Sequence, residues 1–171
     1  FMIDDAQIRY VFVGEQEQYD KTVAVMPLCQ TLEKIIVFDK RVKISPHLAI
    51  YFDDFMQKGK DNPNQSVLSD LLRQAKDEDI SNILYTSGTT GESKGVVLTH
   101  ANFRAAMKGN DASLRFDPKK DRVMSFLPIT HIFERGWMYL CLSEGCEVII
   151  NTNPKRIQEA MREQHPTCMS A

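Results

Sequence analysis

Apolar positions along the chain fall into short β-branched runs, separated by stretches with helical spacing. Ile8-Arg9-Tyr10-Val11-Phe12-Val13 predicts a strand ending at Gly14. Residues 16–26 predict a helix stopped near Pro27. Lys34-Ile35-Ile36-Val37-Phe38 predicts a second strand. Signals over residues 39–64 are mixed. Tyr51-Phe52-Asp53-Asp54-Phe55-Met56 reads as a short helix or strand, and residues 59–64 as a polar loop. Ser66 is the expected N-cap of a short helix through Leu72 and Arg73.

The second half repeats the alternation. Ile83-Leu84-Tyr85 and Val96-Val97-Leu98 are strand-like runs on either side of a polar, glycine-rich segment. Thr99 is placed to cap a helix whose Phe103, Ala106 and Met107 share one face. Arg122-Val123-Met124-Ser125-Phe126-Leu127 predicts a strand, and residues 132–143 an apolar helix closed by Gly145. Glu147-Val148-Ile149-Ile150 predicts the next strand. Asn153-Pro154 supplies an N-cap and a proline at the first helical position, for a helix to about Gln164. Thr167-Cys168-Met169-Ser170 looks like a strand starting. No internal repeat or low-complexity segment interrupts the pattern. Strands alternating with helices predict one α/β domain over residues 1–171, a mainly parallel sheet with helices on both faces. In such sheets ligands bind beyond the carboxyl ends of the strands.

Composition narrows the classes. The chain of 171 residues is 43% hydrophobic and 26% charged, a globular profile with room for a sizeable core. A net charge of −2 gives no electrostatic case for nucleic acid. No apolar run approaches the roughly 20 residues that span a bilayer, and no signal peptide is visible, because Phe1-Met2-Ile3 meets Asp4-Asp5 at once. Cys29, Cys141, Cys146 and Cys168 form no Cys-x-x-Cys pair, and His47, His100, His131 and His165 have no metal-ligand spacing. Cys141 and Cys146 read as buried free thiols, which fits a reduced cytoplasmic compartment.

The candidate chemistry lies in Tyr85-Thr86-Ser87-Gly88-Thr89-Thr90-Gly91-Glu92-Ser93-Lys94-Gly95. Glycines let a backbone approach a polyphosphate and turn its N–H groups inward. Hydroxyls donate to phosphate oxygens, and a lysine adds a point charge. The Walker A spacing is absent: Ser93 precedes Lys94, Gly95 follows it, and the exit is strand-like rather than helical. The dinucleotide Gly-x-Gly-x-x-Gly pattern is absent too, and Tyr85 stands where a nucleophile elbow at Ser87 needs glycine. What remains is a strand–loop–strand hairpin with phosphate-binding chemistry at its tip. Composition alone also fits an ordinary surface loop; the ordered pattern with Lys94 and the following strand favours the phosphate reading.

This segment resembles the signature loop of the adenylate-forming enzymes, which include acyl-CoA synthetases, luciferases and peptide-synthetase adenylation domains. Glu92 stands where proline is usual. Phe126-Leu127-Pro128-Ile129-Thr130-His131-Ile132-Phe133-Glu134-Arg135 is similar to the family's later Leu-Pro-x-x-His motif, and its Phe-Glu-Arg continuation resembles the long-chain fatty-acid branch. The resemblance implies a three-layer sandwich, the flavodoxin-like half of an acyl-CoA synthetase N-terminal domain. It also implies a parent that joins a fatty acid to CoA at the expense of ATP, with Mg²⁺, through an acyl-adenylate. On that basis Thr86, Ser87, Gly88, Thr89, Thr90, Gly91 and Lys94 hold ATP phosphates. Thr90 is the metal-ligand candidate; Lys94 and His131 are the catalytic candidates; Phe133 or Trp137 lines the acyl tunnel. Glu134 and Arg135 are expected to form a local ion pair worth little.

The downstream Tyr-Gly-x-Thr-Glu and Thr-Gly-Asp blocks of the family are absent from the 171 residues, as is the small C-terminal domain with its catalytic lysine. A piece of the large N-terminal domain, not competent alone, is therefore expected. Contact of the parent with a membrane surface stays open. Two other classes also remain open: a stand-alone nucleotide-binding module, and a structural flavodoxin-like domain with a vestigial loop.

Overall fold

A computed structural model describes residues 1–87 and 93–170. The chain divides into two compact units, Phe1–Ala75 and Lys76–Ala171.

The first unit begins with a short helix, α1 (Met2–Asp5), which the sequence pattern does not announce. It continues through β1 (Tyr10–Val13), α2 (Gln16–Val25), β2 (Lys34–Val37), β3 (Ala49–Tyr51), α3 (Phe52–Asp61) and α4 (Gln65–Gln74). The three strands form a parallel sheet in the order β1-β2-β3. Alternation sends Val13, Ile35 and Val37 to one face, where they pack with Tyr19, Val23 and Met26 from α2 and the turn after it. The opposite face carries Phe12 and Phe38, which meet Phe52 and Phe55 of α3 with ring centroids 4.8–6.5 Å apart. Helix, sheet and helix thus make three layers.

Two boundaries differ from expectation. Tyr51-Phe52 is the junction of a strand and a helix rather than the middle of either, and α3 runs through Gly59 to Asp61. The cap of α4 is Asn64, not Ser66, whose hydroxyl instead donates to Asn64 Oδ1 at 3.2 Å.

The second unit contains β4 (Ile80–Ser87), β5 (Ser93–Thr99), α5 (His100–Leu114), β6 (Arg122–Ser125), α6 (Ile132–Ser143), β7 (Glu147–Ile150), α7 (Ile157–Gln164) and β8 (Cys168–Met169). β4 and β5 pair antiparallel, as the hairpin reading requires. β6 is the central strand of a parallel sheet ordered β7-β6-β8. Thr99 caps α5 through a reciprocal box. The Asn102 N–H donates to Thr99 Oγ1 at 3.4 Å, and the Thr99 N–H donates to Asn102 Oδ1 at 2.9 Å. α6 ends in a Schellman motif: Gly145 adopts φ +76°, its N–H donates to Leu142 O, and the Cys146 N–H donates to Cys141 O. Asn153 accepts the Lys155 N–H, but the first turn is a 3-10 turn over Pro154–Arg156 before α7 begins.

The core of this unit gathers Val123, Cys141 and Cys146, with Trp137 set edge-on against Phe116 at 5.7 Å. Burial pushes the Cys141 thiol up to about 12, with the neighbouring Cys146 and Cys168 adding to the rise. The protonated thiol is therefore favoured by folding. Its contribution is complete below the unfolded value of about 8.5 and is lost as pH rises towards about 12. At about pH 8.5, where an unperturbed thiol is half ionised, iodoacetamide is expected to label Cys141 only after denaturation. Labelling of the native protein, read by peptide mass spectrometry, would contradict this placement.

Candidate functional site

The hairpin organises the site. Thr86 pairs with Lys94, Leu84 with Val96 and Asn82 with Leu98. Directly opposed residues of an antiparallel pair share a face, and so do residues two apart along a strand. Thr86, Lys94, Leu84, Val96, Asn82 and Leu98 therefore line one face, with the hydroxyl and ammonium groups at its far end. Thr86 and Lys94 are exposed. Gly95 lies opposite Tyr85 on the other face. A Cβ there would stand 3.0 Å from Ile83 Cγ2 and 3.2 Å from Tyr85 Cε1, so a glycine is what lets those side chains close over the strand. Ser87 ends β4 opposite Ser93. Gly88, Thr89, Thr90 and Gly91 lie outside the described residues, and with Thr90 so does the expected metal ligand. Among the described residues, no group of three or more His, Cys, Asp or Glu could hold a metal ion.

At its base the same face meets an apolar groove of about 490 Å³, within the size range of small-molecule sites. Leu98 contributes from β5, Phe103 and Ala106 from α5, and Phe133, Trp137 and Leu140 from α6. Phe133 and Trp137 thus both line one concavity. Gly136 lies between them on the α6 wall. A Cβ added to it would meet no atom within 4 Å, so its lack of a side chain leaves that stretch of wall low.

His131 is the N-cap of α6, in extended conformation and exposed. Its N–H donates to Pro128 O at 3.0 Å, closing the Leu127-Pro128 turn after β6. The strand stops at Ser125, shorter than expected, because the Phe126 N–H is taken at 3.0 Å by Glu134 Oε1 rather than by a neighbouring strand.

Glu134 and Arg135 do not pair with each other as expected; they turn to different partners. The Glu134 side chain is wholly buried. It accepts from Ser125 Oγ, from the Phe126 N–H, and from Ser170 Oγ at 3.0 Å, so one carboxylate holds the ends of both β6 and β8. Its position in the first turn of α6 also sets it in the favourable end of the helix dipole. Arg135 Nε donates to Ile129 O at 3.0 Å, and its Nη1 donates to Asn82 Oδ1. Asn82, Ser125, Glu134, Arg135 and Ser170 are thus structural parts of the site that sequence reasoning did not assign.

Residues 1–171 match the AMP-binding enzyme family over their whole length, and the chain belongs to that family. It is 36% identical over 126 residues to long-chain-fatty-acid–CoA ligase 1 of Saccharomyces cerevisiae, covering 69% of this chain and 17% of that protein. It is 28% identical over 155 residues to the peroxisomal long chain acyl-CoA synthetase 6 of Arabidopsis thaliana, covering 86% of this chain and 21% of that protein. The chain therefore spans about a fifth of the length of these relatives. The crystal structure of the anthranilate CoA ligase AuaEII in complex with anthranoyl-AMP superposes with a TM-score of 0.77 at 18% identity, covering 98% of this chain and 31% of that one. The α/β architecture with parallel sheets flanked by helices is thus that of the family. No helix among the described residues is long and apolar enough to cross a membrane.

Proposed function

We propose that residues 1–171 are part of the large N-terminal domain of an AMP-forming long-chain fatty-acid–CoA ligase. The observation that carries this reading is the single hairpin face that joins Thr86 and Lys94 at one end to the apolar groove at Leu98 on the other. A polyphosphate needs the first and an alkyl chain needs the second. The long-chain ligases among the relatives support the choice of substrate.

In the first half-reaction a carboxylate oxygen attacks the α-phosphorus of ATP, and the bond to pyrophosphate breaks. In the second, the CoA sulfur attacks the acyl carbonyl and AMP leaves. Both reactants of the first step are anions, so the main task of the protein is positioning and charge neutralisation. Lys94 draws charge onto the departing pyrophosphate. Thr86, Ser87, Thr89 and Thr90 donate to the β- and γ-phosphates, with Gly88 and Gly91 letting the backbone approach. Mg²⁺, when bound, neutralises phosphate oxygens, and Thr90 is its candidate ligand on this chain. His131 borders the carboxylate, and Phe133 and Trp137 flank the acyl chain. The free, buried Cys141 and Cys146 fit a reducing compartment, for which we take the cytoplasm.

The full-length parent is expected to catalyse ATP–pyrophosphate exchange that depends on a long-chain fatty acid, and to form acyl-CoA when CoA is added. Residues 1–171 alone are expected to form none. Exchange driven by acetate or benzoate but not by a long-chain acid would overturn the substrate assignment.

A further inference from the structure

Arg135 bridges two segments that carry different halves of the proposed chemistry. One is the turn 126–131, which ends at His131; the other is β4, which leads to the phosphate loop. Arg135 Nε donates to Ile129 O at 3.0 Å inside that turn, while Nη1 donates to Asn82 Oδ1 on β4. The guanidinium is planar and its donors diverge in a fixed fork, so it can hold two acceptors at a set separation, which a lysine cannot do.

Three further features make this contact more than an incidental surface bond. First, Asn82 follows a bulge: the pairing steps from Ile80–Thr99 to Asn82–Leu98 and skips Ser81. Bulges end or re-aim regular pairing, and Asn82 is the first residue of the regular register beyond this one, on the face that alternation gives it with Leu84 and Thr86. Second, Thr86 and Lys94 lie four residues along that face, about 14 Å away at the usual strand rise, on a continuously paired hairpin. A displacement at Asn82 is therefore delivered to the ATP end. Third, the root of Arg135 is immobilised. The preceding residue, Glu134, is wholly buried and tied to β6 and β8 through Ser125, Phe126 and Ser170, and the Arg135 N–H donates to His131 O at 3.2 Å.

We propose that Arg135 is a positioning residue that sets the hairpin bearing Thr86 and Lys94 in register with the turn bearing His131. It touches no reacting atom; it fixes the distance between the groups that do. The catalytic consequence rests on the ligase reading above.

The test uses the full-length enzyme with Arg135→Ala, Asn82→Ala, the double variant and Asn82→Asp, which keeps an acceptor for Arg135. Misplacement by about 1 Å costs up to ~100-fold in rate. Each alanine variant is therefore expected to lower the kcat of fatty-acid-dependent ATP–pyrophosphate exchange at least about tenfold, with the KM for ATP within about twofold of wild type. The double variant is expected to be no slower than Arg135→Ala, since both remove one link. Asn82→Asp is expected to retain most of the rate. An unchanged kcat in Arg135→Ala, or additive losses in the double variant, would overturn the proposal.

Amide hydrogen exchange on the same proteins separates this inference from the ligase reading. Arg135→Ala is expected to raise exchange both at the turn amide of His131 and along residues 82–86. Loosening on one side alone refutes the coupling. A wild-type enzyme without fatty-acid-dependent exchange activity refutes the ligase reading, and the amide pattern still decides the link.

Discussion

Replacing Lys94 by alanine in the full-length enzyme is expected to slow acyl-adenylate formation by about 10²–10³-fold, the usual loss when a group stabilising transition-state charge is removed. The site is well suited to a clean test. Lys94 is exposed on β5 and pairs with Thr86 through the backbone, so truncation leaves the strand register intact. Attack of a carboxylate on a triphosphate builds charge on the leaving pyrophosphate, and a compact ammonium beside it lowers that cost. The effect should therefore fall on the chemical step more than on ground-state binding. Lys94→Arg keeps the charge but moves it outward on a broader head, so a partial loss is expected. Pre-steady-state release of pyrophosphate measures the step directly. A Lys94→Ala enzyme that releases pyrophosphate at the wild-type rate would remove Lys94 from the mechanism.

The elements of this chain that sequence reveals are those whose causes are local. The Thr99 cap with Asn102, the Gly145 stop after α6 and the β4–β5 hairpin all follow from residues within a few positions of one another, and all three are observed. The junction at Tyr51-Phe52 is ambiguous for a local reason too. A two-sided parallel sheet takes apolar residues on both faces, so the run Ala49-Ile50-Tyr51-Phe52 crosses from β3 into the first residue of α3, and the composition changes only at Asp53, one residue past the boundary. Strand grouping has no local signal at all. Two three-stranded parallel sheets and a separate hairpin share the same alternating pattern as one longer sheet.

The least legible part of the site is Glu134-Arg135. Adjacent opposite charges suggest an ion pair, but successive helical residues do not face each other. Glu134 turns into the sheet and Arg135 towards β4. Their partners Ser170 and Asn82 lie 36 and 53 residues away in sequence. A glutamate in a largely apolar helix, four residues before Met138 and three after His131, gives no warning that it will be wholly buried. Only the three donors that converge on it explain how it can be there.

That convergence leads to a prediction about stability. Glu134→Ala in the full-length enzyme is expected to destabilise the second unit by about 3 kcal/mol. Buried groups left without a partner cost about 1–3 kcal/mol each, and here Ser125 Oγ, the Phe126 N–H and Ser170 Oγ all lose their acceptor. The two hydroxyls can rotate to find other acceptors, whereas the Phe126 N–H is fixed by the backbone, so the total stays well below three full penalties. Glu134→Gln keeps an oxygen for Phe126 and offers its amide N–H to a serine oxygen, so a loss of about 1 kcal/mol is expected. Urea unfolding followed by a probe in this unit measures the ranking wild type, Gln, Ala. Amide exchange at Phe126 locates its origin: about 3 kcal/mol corresponds to roughly 100-fold less protection. The same loss spread evenly over the unit, with Phe126 no worse than its neighbours, would mean that packing volume rather than the orphaned amide sets the cost. Equal stability of the Gln and Ala variants would lead to the same conclusion.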